Sequence, residues 1–248
     1  MHRRICVSVL LLAASATADA MTAEELVAKN LEAKGGIDAI KAIDTMHATG
    51  KMSFTGDFSV DLTLDQVISR KGKVRQEASL QGMTSVQAYD GKEGWQIQPF
   101  GGRKDPEKLS ADDIKGLIDD ADIDGPLVDW QSKGSKLEYL GTEDVDGTEA
   151  HKLKITEKDG DVKYYYFDPD YFLEIRLVTQ RKVRGTEQEF ESDLGNYEKV
   201  AGVYMPFSIE SGPKGGPKGQ KITIEKVEVN EPVEDTKFSF PAAPAAAK

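Results

Sequence analysis

Apolar and polar residues alternate with a period of two over most of the chain after residue 45. In "DFSVDLTLD" apolar residues alternate with Asp, Ser and Thr. The apolar residues are Phe58, Val60, Leu62 and Leu64. Such alternation is typical of a strand with one buried and one solvated face. The preceding segment "MHATGKMSF" has the same period, and Thr55-Gly56-Asp57 between the two predicts a hairpin turn.

Further strands follow with the same period. We expect strands at Lys73–Leu80, Thr84–Tyr89 and Gly94–Gln98, and turns at Asp146-Gly147 and Asp159-Gly160. The whole pattern predicts about eleven hairpin-connected strands. Because a sheet of that size curls, we expect a half-open curved antiparallel sheet or incomplete barrel.

Two segments of the second half carry large apolar side chains. In "FLEIRLVT" the alternation predicts one shared face for Leu173, Ile175 and Leu177. The consecutive aromatic residues Tyr164 to Phe167 must place rings on both faces of their strand.

Three segments have the 3.6-residue period of helices. In "TAEELVAKNLEAKGG" Thr22 and Glu25 have capping-box spacing, and a short helix over Ile37–Ile43 follows. The third helix, of about three turns, lies in "DPEKLSADDIKGLIDD", and its apolar residues are Leu109, Ile114, Leu117 and Ile118. Since an apolar sheet face must be buried, we expect helices to cap the sheet in a mainly β (α+β) fold.

The third helix ends in an acidic stretch, "LIDDADIDGPLVDW". Asp120, Asp122 and Asp124 alternate and Gly125 follows, as at the start of a calcium-binding EF-hand loop. Position 12 of such a loop, however, is Gln131 where a bidentate Glu is needed. We therefore expect no metal site, and we interpret the aspartates as the solvated outer side of a helical cover.

Residues 1–20 have the pattern of a secretory signal peptide, with Arg3 and Arg4 before a short apolar run and an Ala-Asp-Ala cleavage site. We expect residues 21–241 to form a single domain and residues 242–248 a disordered tail. Cys6, the only cysteine, lies within the signal and away from its cleavage point. The product is therefore expected to have no disulfide, no cysteine-based metal site and no lipid anchor.

Charge and motifs exclude several classes of function. The formal net charge of −11 argues against nucleic acid or an anionic membrane surface as partner, since both need a basic face. Nucleophile, phosphate-binding and dinucleotide-binding motifs are absent from the sequence. We expect no enzyme and no cofactor, although a hydrolase with an unrecognised carboxylate pair stays an alternative.

Apolar and aromatic residues are the remaining candidates for a site. Trp95 and Ile97 share one face of a predicted strand, and Phe100 follows them. These side chains fit either an ordinary core or the wall of an apolar cavity between a curved sheet and its helical cover.

Two motifs resemble those of periplasmic lipoprotein carriers, the LolA/LolB-like family. "AYDGKEGWQIQPF" is similar to the strand–turn–strand signature of this family, and "EDTKFSFPAAP" is similar to its closing segment. The layout of signal, helix, strands and inserted helix is also similar over most of the chain. The nearest group is that of the outer-membrane lipoprotein-sorting proteins.

The resemblance implies a periplasmic, monomeric carrier without catalysis, whose apolar cavity under a helical lid binds lipid or lipoprotein acyl chains. It implies that Arg70 contacts the lid, and that Trp95 lies beneath it. The expected cavity residues are Phe54, Phe58, Val60, Leu62, Leu64, Trp95, Ile97, Phe100, Ile114, Leu117 and Ile118. Envelope membrane proteins are possible further partners, and the alternative function is a protein-interaction or stress-sensing module with the same fold.

Overall fold

Thirteen antiparallel strands form one sheet in this computed structural model, which describes residues 21–56, 59–183 and 185–241. The strands are β1 (Thr45–Phe54), β2 (Val60–Ser69), β3 (Lys73–Leu80), β4 (Met83–Tyr89), β5 (Gly94–Gln98), β6 (Arg103–Lys108), β7 (Lys136–Val145), β8 (Thr148–Thr156), β9 (Val162–Phe167), β10 (Glu174–Val183), β11 (Thr186–Val200), β12 (Val203–Pro213) and β13 (Gln220–Val229). The α-helices are α1 (Ala23–Ala33), α2 (Ile37–Lys41) and α3 (Lys115–Asp120). Short 3-10 helices lie at Pro99–Gly101 and Asp235–Lys237.

The predicted fold class is confirmed. The sheet is a curved half-barrel whose edge strands, β6 and β7, do not pair with each other. The predicted signal peptide, the predicted tail and Phe58 lie outside the described residues. No helix within the described residues has the length and apolar character needed to cross a membrane.

The strand order explains why a helix crosses the sheet. Across the sheet the order is β6-β5-β4-β3-β2-β1-β13-β12-β11-β10-β9-β8-β7. The consecutive strands β6 and β7 therefore lie at opposite edges, and residues 109–135 must pass over one face to connect them. We call this face, which also carries α1 and α2, the inner face.

Strand register determines which side chains share the inner face. Leu64 and Ile68 of β2 point to this face, because Ile68 packs against the α3 residue Leu117 and strand side chains alternate. Thr63 and Asp65, the neighbours of Leu64 in β2, point to the opposite face, which we call the outer face. The alternation seen in the sequence of β2 is therefore confirmed.

Helix α1 covers the inner face of the C-terminal half of the sheet. Its capping box is confirmed: the Glu25 N–H donates to Thr22 Oγ1 at 3.1 Å, and the Thr22 N–H donates to the Glu25 carboxylate at 2.8 Å. The helix buries apolar side chains against β8 and β9, and this α1 cluster includes Leu26, Val27, Leu153, Ile155, Tyr165 and Phe167.

The segment between β5 and β7 differs from its prediction. The expected helix of about three turns is shorter, since α3 spans only Lys115–Asp120 and turns precede it. Before it lies β6, a strand that the sequence pattern did not indicate. Pro106 argued against a strand in the sequence. An edge strand tolerates proline, because a residue that faces away from the sheet does not need to donate an N–H to a neighbouring strand.

The prediction that Leu173, Ile175 and Leu177 share a face is wrong. A β-bulge between Glu174 and Arg176 adds a residue to β10 opposite β9 and shifts the alternation. Leu177 consequently packs against the α1 cluster, whereas Ile175 packs on the outer face.

Candidate functional site

A cavity of about 210 Å³ lies between α2 and the inner face of the central strands. Its walls are mainly apolar, and the residues that form them include Ile43, Met46, Ala48, Ile209, Ile224 and Val227. These residues come from β1, β12, β13 and the segment after α2, so strands from both ends of the chain build the cavity.

Arg70, which directly follows β2, joins the sheet to the helices beside this cavity. Its Nη1 donates to both carboxylate oxygens of Asp124 at 2.7 and 2.6 Å. Its Nε and Nη2 donate to the backbone carbonyl oxygens of Ile43 and Ile40, each at 2.8 Å. One side chain thus holds both α2 and the segment after α3.

The lid, which we define as residues 109–124, packs on the N-terminal half of the sheet by its apolar side. Leu117 is buried against Ile68 and Val74. Ile114 lies directly over Gly94, where an added Cβ would come within 2.3 Å of Ile114 Cγ2. Glycine at this position therefore allows the start of the lid to approach β5.

Ion pairs hold the lid to the C-terminal half of the sheet. Asp119 contacts Arg181 of β10 and, at 3.1 Å, Lys163 of β9. Lys115 donates to Asp161 at 3.0 Å. Desolvation alone would lower the pKa of Lys163, but the neighbouring carboxylates outweigh it and hold that pKa above its ordinary value.

The aspartates of the acidic stretch are only partly a solvated outer side, since Asp120 is exposed but Asp122 and Asp124 are half-buried, and each has a partner in the protein. Asp120 accepts a hydrogen bond from Gln76 at 2.7 Å, and Asp122 accepts one from Lys133 at 2.5 Å. Asp124 binds Arg70, as described above. The three carboxylates thus turn to three different partners, and no group of metal-ligating side chains occurs within the described ranges.

The carboxyl group of Asp120 has a pKa above its ordinary value. The surrounding protein desolvates its carboxyl group and raises its pKa to about 6, although the residue keeps contact with solvent. The hydrogen bond from Gln76 acts in the opposite direction, and the negative charge of Asp119 raises the pKa further.

A separate groove of about 320 Å³ lies farther along the inner face. Its lining includes Phe54, Leu62, Leu64, Phe100, Gln76 and Gln87. The cavity and the groove occupy successive stretches of β1, β2 and β13, since Ala48 lines the former and Met52 the latter. We refer to the two together as the trough.

The structure separates the predicted site residues into groups. Those at the open end of the trough are Phe54, Val60, Leu62, Leu64 and Phe100. Of the three lid residues, Leu117 is buried, Ile114 is half-buried, and Ile118 is 44% exposed. That these residues bind a ligand stays a prediction.

The prediction that Trp95 lies beneath the lid is wrong. Gln96 pairs with Gln87, which lines the inner groove, so Trp95 and Ile97 point to the outer face. There the Trp95 indole N–H donates to the carbonyl oxygen of Phe238 at 2.8 Å. Sequence alternation places Trp95 and Ile97 on one face but does not say which face the lid covers.

Sequence reasoning missed most of the cavity wall. Ile224 and Val227 belong to β13, whose alternation is visible in "KITIEKVEVN" but whose place at the centre of the sheet is not. A register shift between Thr49 and Gly50 also changes which residues of β13 face β1.

Comparison with solved structures identifies the fold. A LolA superfamily protein from Nitrosomonas europaea matches with a TM-score of 0.60 over 89% of this chain and 98% of that chain, at 14% identity. A putative outer membrane lipoprotein-sorting protein domain from Vibrio parahaemolyticus matches with a TM-score of 0.57 over 87% and 95%, at 10% identity. The chain has the LolA-like fold.

The LolA-like fold also extends to a DUF1329 family protein from Desulfovibrio piger, with a TM-score of 0.50 over 88% of this chain and 97% of that chain, at 14% identity. No protein-family model and no curated protein matches the sequence. At such low identity the LolA-like similarity establishes the fold, and the function must be argued from the trough.

Proposed function

We propose that this protein binds the acyl chains of lipids or lipoproteins in its trough and carries them through the periplasm after removal of residues 1–20. The observation that carries the proposal is the apolar cavity under α2, together with an open groove farther along the same strands. The lipoprotein-sorting domain among the LolA-like structures supports it.

The size of the trough suits a chain that enters from the open end. Pockets that bury a small ligand usually measure about 300–1,000 Å³. The cavity alone, at about 210 Å³, is below that range, whereas the groove adds about 320 Å³. Each methylene group that leaves water for this apolar space contributes about 0.8 kcal/mol to binding.

The lid provides a means of loading and release. Its apolar contact is small, because Leu117 is the buried residue of α3, and its other contacts are ion pairs and hydrogen bonds. When the lid lifts, water reaches the separated charges, including the buried Lys163, and their hydration offsets much of the lost attraction. We therefore expect the lid to move while α1 stays packed.

A substitution that fills the cavity tests the proposal. Ala48 is buried, lines the cavity and lies on the inner face of β1. In Ala48→Phe the ring should occupy the space of the acyl chain and weaken binding of a long-chain monoacylglycerol at least 10-fold, measured by native mass spectrometry. Thr49→Phe, one position along on the outer face, is the matched control and should bind as the parent does.

Thermal unfolding of both variants shows whether the fold is retained. If Ala48→Phe folds and binds the lipid as well as its parent, the cavity is not the site. The proposal also predicts that the protein isolated from its own periplasm carries a lipid. A stoichiometric protein partner without lipid would instead support the interaction module.

A further inference from the structure

Four glutamines form a straight row across the inner face. Strand register pairs Gln66 of β2 with Gln76 of β3, Gln76 with Gln87 of β4, and Gln87 with Gln96 of β5. Directly paired residues on neighbouring strands have Cβ atoms about 5 Å apart. The four amides therefore form a continuous polar stripe, which we call the glutamine ladder.

On β2 and β3 the ladder lies between apolar residues. On one side of it Leu64 pairs with Ala78, and on the other Ile68 pairs with Val74. β-Branched and aromatic residues favour such half-buried strand positions more than glutamine does. Sheet formation alone gives no reason for four amides in register at this place.

Half of the ladder has hydrogen-bonding capacity to spare. Gln76 donates to Asp120 at 2.7 Å, and Gln96 accepts from Gln98 at 3.3 Å. Within the described residues, the side-chain amides of Gln66 and Gln87 have no hydrogen-bond partner in the protein. Each amide offers two N–H donors and a carbonyl acceptor, and both residues are only half-buried, so a ligand can reach them.

The ladder also joins the two parts of the trough. Gln66 lines the apolar cavity, and Gln76 and Gln87 line the groove. A ligand whose acyl chain ends in the cavity and whose remaining part lies in the groove would therefore place the linkage between the two parts on the ladder.

The groove side of the ladder favours an uncharged ligand group, and on the cavity side Lys34 is paired with Glu174 at 3.0 Å. No lysine or arginine lines the groove in the part of the chain that the structure describes. The carboxyl group of Asp120 lies against Gln76 and would repel a carboxylate or phosphate.

We propose that the glutamine ladder binds the uncharged carbonyl linkage, ester or amide, of an acylated ligand whose chain occupies the cavity. The glutamine N–H groups donate to the carbonyl oxygen, and the glutamine carbonyl groups accept from an amide N–H or a hydroxyl group. This inference rests on the proposed function and adds to it the chemical class of the ligand's polar end.

A matched pair of ligands tests the inference. Monopalmitoylglycerol has an ester carbonyl, and hexadecylglycerol has an ether oxygen in its place with a chain of similar length. We expect the parent protein to bind the ester about 5–10-fold more tightly, since one hydrogen bond contributes about 1 kcal/mol. N-Palmitoylethanolamine, which has an amide, should share this preference, whereas palmitate at pH 8 should bind more weakly than the ester.

Substitutions in the ladder assign the preference to these residues. Gln87→Leu and Gln66→Leu should each reduce the ester-to-ether ratio to about 2-fold or less, while affinity for the ether stays within about 2-fold of the parent. Unchanged ether binding shows that each variant is folded. Thr63→Leu, on the outer face of β2, is the control and should keep the full ratio.

Three results would overturn the inference. Equal binding of ester and ether by the parent would leave lipid binding intact but remove the role of the ladder. A ratio that persists in both glutamine variants would place carbonyl recognition elsewhere. Failure of the parent to bind any of the four ligands would contradict the proposed function itself, and the inference with it.

Discussion

The inner face of the sheet is used differently in its two halves. Under α1 the C-terminal half is filled, and Leu153, Ile155 and Phe167 are fully buried. Under the lid and α2 the N-terminal half and the centre keep a cavity and an open groove. The same fold thus combines a packed core on one side with accessible apolar space on the other.

The two covers differ in how they are attached. Helix α1 has eleven residues and buries a continuous apolar side. Helix α3 has six residues, of which Leu117 is buried, and ion pairs provide much of its remaining contact. Burial of apolar surface is lost completely on separation, whereas water can replace a partly exposed ion pair. The comparison indicates one fixed cover and one displaceable cover.

The largest effect should come from truncating the packed half. Leu153→Ala removes a fully buried side chain and should lower the free energy of unfolding by about 3–4 kcal/mol. Leu64→Ala lies beside the existing groove and should cost less, about 2 kcal/mol. Urea denaturation measures both, and equal losses would show that the two halves are packed alike.

Removing the contact between sheet and helices should have the next largest effect. Arg70→Ala leaves Asp124 and two backbone carbonyl groups without their donor and should lower the free energy of unfolding by about 2–3 kcal/mol. Lys71→Ala, which removes an exposed ion pair with Asp235, should change it little. Similar losses in both variants would contradict the role of Arg70.

Weakening the ion pairs of the lid should loosen the lid alone. Asp119→Asn removes a charge that faces Arg181 and Lys163. Amide hydrogen exchange in residues 115–120 should then accelerate about 5-fold, corresponding to about 1 kcal/mol, while exchange in α1 stays unchanged. Acceleration in both helices would mean that the covers are not independent.

The smallest effect concerns pH. The pKa of Asp120 in the folded protein, about 6, lies above its ordinary value of 3.8, so the folded protein binds this proton more readily than the unfolded chain does. The ionised group therefore lowers stability above pH 6, and this cost disappears as the pH falls towards 4. Asp120→Asn should raise the free energy of unfolding by about 0.5 kcal/mol at pH 7.5, because solvent contact reduces the effect, and by nothing at pH 4. A constant difference across this range would contradict the assignment.

Local features of the fold could be predicted from the sequence. The capping box of α1 and the alternation of Leu62 and Leu64 depend on residues within a few positions of each other. The turn at Asp146-Gly147 is also local, and both residues have the positive φ angles that such a turn requires.

The remaining features depend on distant residues. Trp95 lies on the outer face, where it binds a residue 143 positions away. Asp124, which the sequence pattern placed on a solvated outer side, binds Arg70, 54 positions away. Such contacts follow from the order of strands in the sheet, which the period of a single strand does not specify.

The pairing of β1 with β13 has a consequence for when the site comes into existence. Met46 lies opposite Val229, so the centre of the trough requires both ends of the folded chain. Pairing across so long a loop is slow, because the entropy of closing the loop must be overcome before any contact compensates for it. We expect the hairpins of each half to form early and the β1–β13 seam last. A chain still under synthesis would then have no assembled trough until its last strand is available.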